Sequence, residues 1–380
     1  MTQESFLLRE PLLARDSRFC GYRFRPTGPQ AATPYRQLFA AHAAGRPTGG
    51  MCLVEDQGPA LDELADESPQ GLTTLVRPEQ ADRIAGFRQK RIATCARIDG
   101  TTTDLPPTLA AAEFVWLDVG PSGNVKTLAK LAQRLPGKRI AAGLATRDQF
   151  EDAKELGAQM FQGDWYTRPA GPPPKAVAPG QATILELIKQ TQAEAPPAKI
   201  EELIKRDAAL SFRLLRYINS AGFGLSCEIQ SFRHAISILG YQNLGRWLAL
   251  LLATSGTTAA APVLMREAAA RGRLTELTGE SLVASDERDN LFIVGVFSLL
   301  PAILQFPMEK LVDQLNLPEA ANDALLTRTG LFGPILKLAE SVEGHDGAAI
   351  AKAAQHMQLS SAQVNRHHLE ALAWANQLAA

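Results

Sequence analysis

The sequence predicts two units of different class: an α/β domain built on a parallel sheet or barrel, followed by an all-α bundle. Three observations carry this. Up to residue 169, short near-continuous apolar runs alternate with stretches of helical spacing. That is the pattern of parallel strands buried on both faces. From residue 183 onward the apolar period becomes 3.6 almost throughout. Between the two, Thr167 to Ala182 reads TRPAGPPPKAVAPGQA, with five prolines and two glycines in sixteen residues. Proline fixes φ and disfavours helix before it, so this stretch reads as a semi-rigid linker. The expected division is an α/β domain at 1–169, a linker at 170–182 and a helical domain at 183–380.

Taken in order, GMCLVE (50–55), TTLVRP (73–78), RIATCARI (91–98), EFVWLDVG (113–120), KRIAAGL (138–144) and AQMFQG (158–163) read as strands. PEQADRIAGFRQ, Val125 to Leu135 and TRDQFEDAKELG read as the helices between them, the last capped by Thr146 and closed by Gly157. After the linker, ATILELIKQT, AKIEELIKRD, ALSFRLLRYINS, FRHAISILG and NLGRWLALLLAT each place apolar residues at i, i+3 and i+4.

Charge narrows the partners. Lys and Arg number 39 against 40 Asp and Glu, a net charge of −1. No long-range field is available to attract nucleic acid or an anionic membrane. Cys20, Cys52, Cys95 and Cys227 are scattered with no CxxC pair. They suggest neither a zinc site nor a disulfide framework. The N-terminus has no signal-peptide pattern and the longest apolar stretch, Trp247 to Ala253, is too short to span a bilayer. The expectation is a cytoplasmic protein with no membrane insertion and no cofactor.

Two stretches resemble known families. IKRDAAL (204–210), LLRYINSAGFG (214–224) and AISILG (235–240) resemble the motifs of the HDOD domain, with Ala208 where proline is usual. That family is similar to HD-type phosphohydrolases but lacks their His-Asp metal ligands. In the first half, Gly21-Tyr22-Arg23-Phe24-Arg25-Pro26, IAAGLAT (140–146) and Gln162-Gly163 through Pro169 fall in the order of three motifs of EAL domains, the phosphodiesterases of cyclic di-GMP. The tandem resembles a class of bacterial signalling proteins with an EAL-like domain followed by HDOD.

The resemblance implies metal-ligating carboxylates that the motif positions do not supply. Arg23 stands near the signature glutamate, and Ala142 and Ala145 where two late glutamates would be. Asp118 is the only strand-end carboxylate in a plausible place, and one carboxylate does not hold a metal pair. With about 170 residues against the roughly 200–250 of a full barrel, a truncated or degenerate barrel with fewer strands is expected. In the helical half, Phe297-Ser298 falls where His-Asp would be. His345-Asp346 sits between glycines as a helix cap, and His234, His367 and His368 read as ordinary helix residues.

The sequence reading is therefore a non-enzymatic signalling scaffold acting through protein partners, with Asn219, Ser220 and Phe223 as a candidate surface. The alternative is a non-hydrolysing cyclic di-GMP sensor, with Arg23 and Arg25 on phosphate and Trp165 or Tyr166 stacking a base. A third reading, an active phosphodiesterase, needs ligands beyond those the motifs show.

Overall fold

A computed structural model describes residues 4–28, 32–43, 50–64, 71–120, 123, 125–168, 174–205, 232–284, 287–344 and 346–379. By internal contacts the chain divides into two units. The first is Met1–Arg168 with Ser341–Lys352 and Leu359–Leu369, and the second is Pro169–Glu340 with Ala353–Gln358 and Glu370–Ala380. Two segments that the sequence reading placed in the helical domain thus pack with the barrel unit.

The first unit is a closed eight-stranded barrel in sequential order. Its strands are β1 (Leu7–Ala14), β2 (Phe19–Pro26), β3 (Met51–Glu55), β4 (Leu72–Val76), β5 (Ala93–Asp99), β6 (Phe114–Asp118), β7 (Lys138–Leu144) and β8 (Met160–Gly163). β1 runs antiparallel to both neighbours, β2 and β8, and every other pair is parallel. The expectation of fewer strands is corrected: the barrel is complete. Its small size is reached in the coverings. A six-residue helix (Pro59–Leu64) follows β3, and 3₁₀ turns at Pro78–Arg83 and Pro107–Ala111 take up space that longer helices would fill. The β1–β2 hairpin hid from the sequence reading because Arg9, Glu10 and Pro11 interrupt the apolar run of β1.

Side chains alternate across each strand, so the barrel interior is filled by every second residue. Leu12, Leu53, Leu75, Cys95, Trp116, Ile140 and Ala142 form that buried plug. Two residues along the same faces lie Glu10, Glu55, Arg97 and Asp118. Strand parity therefore raises these charged side chains above the plug.

Parity also sends Arg9 to the outer face of β1, where it is fully buried. Its guanidinium reaches Nε2 of His368 at 3.0 Å and donates to Glu343 at 2.9 Å. Nδ1 of His368 lies 3.1 Å from the Leu7 carbonyl and donates to it, which leaves Nε2 to accept from Arg9. Asn365 accepts from the Leu7 amide at 2.8 Å and donates to the Ser5 carbonyl at 3.1 Å. The amides of Leu7 and Arg9 and the carbonyl of Leu7 are thus all bonded by residues 342–368 of the same unit.

Burial, and then the neighbouring Arg9 charge, hold His368 well below its ordinary value of 6.5. The folded state keeps it neutral while the unfolded chain takes up a proton below 6.5. Stability from this site is present above that pH and is lost as pH falls through it. Urea unfolding at pH 7 and pH 5 is expected to show wild type losing up to about 1.4 kcal/mol more per pH unit than His368→Gln. Equal losses in the two proteins would refute this assignment.

The second unit is helical. Pro179–Gln192 begins inside the expected linker, with Pro179 at the first helical position, where its missing N–H costs nothing. Phe232–Ala253 is broken at Gly240, whose φ is +74°. Helices Ala261–Gly279 and Arg288–Phe297 cross where two glycines meet. A Cβ on Gly295 would lie 2.6 Å from the Gly272 Cα. Among the described residues no helix is long and apolar enough to cross a membrane.

Candidate functional site at the barrel mouth

A cavity of about 580 Å³ opens at the C-terminal ends of the parallel strands. Glu10, Glu55, Asp118 and Asp164 line it, and so do five arginines, at 23, 25, 77, 97 and 168. One positive charge is left over. A second hollow of about 470 Å³ shares Arg77 and Arg97 with it and adds Glu79, Asp99 and Asp104 with Thr101 to Thr103, so that its carboxylates outnumber its arginines.

Arg23 organises the floor. Glu10 is its direct cross-strand partner in the β1–β2 register. The guanidinium donates to Glu10 at 2.9 Å and, on its other side, to Glu55. Its plane lies over the Trp116 indole, 4.7 Å from the ring centroid. Only 8 % of the residue is exposed. Burial opposes the charge, but the attraction of Glu10 and then Glu55 outweighs it and holds the guanidinium above its ordinary range. The Glu55 backbone is fixed from outside the barrel, its amide and carbonyl both bonded to the Tyr35 hydroxyl.

Arg97 donates to Asp118 at 2.6 Å across β5 and β6. The Nε of Arg23 and the Nε of Arg97 are both buried with no hydrogen-bond partner among the described residues. The Arg77 side chain makes no ion pair among them. Asp99 is held below its usual range by the Thr101 hydroxyl that donates to it. At the far wall Gln162 accepts from the Gly143 amide at 2.9 Å. Gly143 has φ +72°, and a Cβ there would meet the Gly120 amide at 2.7 Å, so glycine is required for this close approach.

The sequence-predicted residues separate here. Arg23 and Arg25 line the cavity, and so does Ala145, whereas Ala142 belongs to the apolar plug. Trp165 is not available to stack a base. It is buried, stacked on Phe150 with centroids 5.0 Å apart, and Tyr166 packs edge-on against it. Neither lines the cavity. Asn219, Ser220 and Phe223 lie outside the described residues, as does His345. Asp346 caps a helix start, accepting from the amides of Ala348 and Ala349. Ser298 accepts from Arg271 at 2.7 Å and donates to the Gly295 carbonyl, so a guanidinium also stands beside the position of the expected His-Asp pair.

Asp118 is not the sole strand-end carboxylate, as the sequence reading held. Glu10 and Glu55 share its cavity. They could have been found by parity, since Glu10 is in phase with Leu12 and Glu55 with Leu53. The EAL resemblance implies divalent metal at this mouth, and the arrangement does not fit one. A guanidinium fills the space between Glu10 and Glu55. Among the described residues no group of three His, Cys, Asp or Glu side chains could hold a metal.

The chain thus combines a closed barrel that has one antiparallel strand and a charged mouth with a helical second half. The HDOD family matches residues 178–298. The chain is 28% identical over 250 residues to the cyclic di-GMP phosphodiesterase CdgJ of Vibrio cholerae, a match that covers 66% of this chain and 58% of that one. It is 26% identical over 244 residues to the uncharacterized protein YuxH of Bacillus subtilis, covering 63% and 59%. The chain thus spans a little under three fifths of the length of these relatives. Among solved structures, the PaMucR phosphodiesterase in complex with cyclic di-GMP aligns with 15% identity and a TM-score of 0.34, over 42% of this chain and 90% of that one. A standalone EAL protein from Vibrio cholerae O395 aligns with 14% identity and a TM-score of 0.34, over 43% and 91%. The expectation of a non-enzyme is corrected by the first relative, whose name is that of a phosphodiesterase. The argument for it also rested on Asp118 standing alone, which it does not.

Proposed function

We propose that the barrel mouth is a phosphodiester site that takes cyclic di-GMP, and that the HDOD domain belongs to the same signalling function. One observation carries the reading: five arginines against four carboxylates around a cavity of about 580 Å³. That volume lies within the usual range for small-molecule sites, roughly 300–1,000 Å³. Guanidinium groups suit phosphate because their planar N–H pairs match two oxygens at once. CdgJ is named for the same dinucleotide, and its name makes cleavage of the bound diester the reaction to assay.

Titration calorimetry of the full chain with cyclic di-GMP, with analysis for linear product, tests this. Arg77→Glu reverses a mouth charge without breaking an ion pair. It is expected to weaken binding by at least about tenfold, the equivalent of about 1.4 kcal/mol. No binding by the wild type, or equal affinity in the variant, would overturn the reading.

A further inference from the structure

We propose that the Arg23 guanidinium is the resident cation of the barrel mouth, so that the site takes its phosphodiester without a divalent metal. This rests on the reading of the mouth as a phosphodiester site and specifies how it would work. Two carboxylates facing a common point are the start of a metal site, because each added carboxylate lowers the potential there. Here that point is filled. Arg23 bonds to Glu10 on one side and Glu55 on the other, lies over Trp116 and is nine-tenths buried. A second cation brought into the same space would meet a fixed positive charge in a poorly screened environment.

The N–H donors that Arg23 brings are not all used by its two partners. Its Nε–H is buried without an acceptor, and the Nε–H of Arg97, on the same cavity wall, is in the same condition. Buried donors left without partners are uncommon and costly, and mark places where an acceptor belongs. A phosphodiester carries one negative charge over two oxygens. It satisfies charged donors of this kind by charge-assisted hydrogen bonds. Arg23 thereby combines two roles: it offsets one of the two charges of Glu10 and Glu55, and it provides a donor for an anion at a place a metal would otherwise take.

The test uses the full chain and Mn²⁺, whose free-ion spin resonance signal is lost on binding. Wild type is expected to leave the signal intact. Its affinity for cyclic di-GMP is expected to agree within about twofold between EDTA and Mn²⁺, since metal affinity depends on ligand count and charge. Arg23→Glu adds a third carboxylate in place of the cation. It is expected to take up Mn²⁺ at least about tenfold more tightly than wild type and to be stabilised against heat by it. Mn²⁺ uptake by wild type that Glu55→Gln abolishes would overturn the proposal. So would nucleotide binding that appears only with metal. If the nucleotide binds under neither condition, the functional reading fails, while the Mn²⁺ titration of wild type still decides whether the mouth excludes metal. Uptake that also survives Glu10→Gln, Glu55→Gln, Asp118→Asn and Asp164→Asn combined lies outside the mouth and leaves the exclusion standing.

Discussion

Arg23→Met is expected to destabilise the barrel unit by about 3–5 kcal/mol at pH 7, the cost of breaking a buried ion network from one side. Methionine has similar length and keeps the apolar contact with Trp116. What is lost is the guanidinium that bridges Glu10 and Glu55, which are 2 % and 8 % exposed. Two like charges then face each other, and one carboxyl takes up a proton more readily. The deficit relative to wild type is therefore expected to shrink as pH falls toward 5. Adding Glu10→Gln and Glu55→Gln to Arg23→Met removes the stranded charges and is expected to recover much of the loss. Urea unfolding of the single and triple variants measures both. A deficit below about 1 kcal/mol at pH 7, the level of a surface ion pair, would show that the triad is not a buried network.

Gly295→Val is expected to have the largest effect in the helical unit. A Cβ at this position would meet Gly272 Cα at 2.6 Å, the Thr275 hydroxyl at 2.7 Å and the Arg271 carbonyl at 2.8 Å. Two of the three are backbone atoms, so no side-chain rotation relieves the contact. The helices must separate, and overpacking of this kind costs about 1–3 kcal/mol or more. Gly295→Ala brings only the Cβ and is expected to cost less. Thermal unfolding that leaves both variants at the wild-type midpoint would mean the helices cross elsewhere.

The strands were legible where burial on both faces made them continuous in apolar residues. β3 to β8 were each read within a few residues of their observed bounds. β1 was not, because it carries Arg9 and Glu10 in its middle. Arg9 is outward and Glu10 inward, and both are buried by parts of the chain that sequence spacing does not bring near. Completeness of the barrel was misjudged for a related reason. Chain length reports the sum of strands and coverings, and here the coverings are short. At the site, motif alignment picked out Arg23 and Arg25, which line the cavity, but sought carboxylates only at motif positions. Counting along the strands from Leu12 and Leu53 reaches Glu10 and Glu55 without any motif. Trp165 looked accessible because it follows a strand end, but Phe150 on the preceding helix covers its face. The pairing of His368 with Arg9 spans 359 positions and left no local sign.

That last contact sets the order in which the protein can be finished during synthesis. The barrel unit is discontinuous, with most of the helical unit made between its strands and the segment that covers β1. At about 5–20 residues per second, roughly 20–70 s separate the appearance of Arg9 from that of His368. For most of that interval β1 has emerged without Asn365 for the Leu7 amide or His368 and Glu343 for its arginine. A ribosome that stalls within the helical unit therefore leaves a barrel that has all its strands while the outer face of β1 is still uncovered.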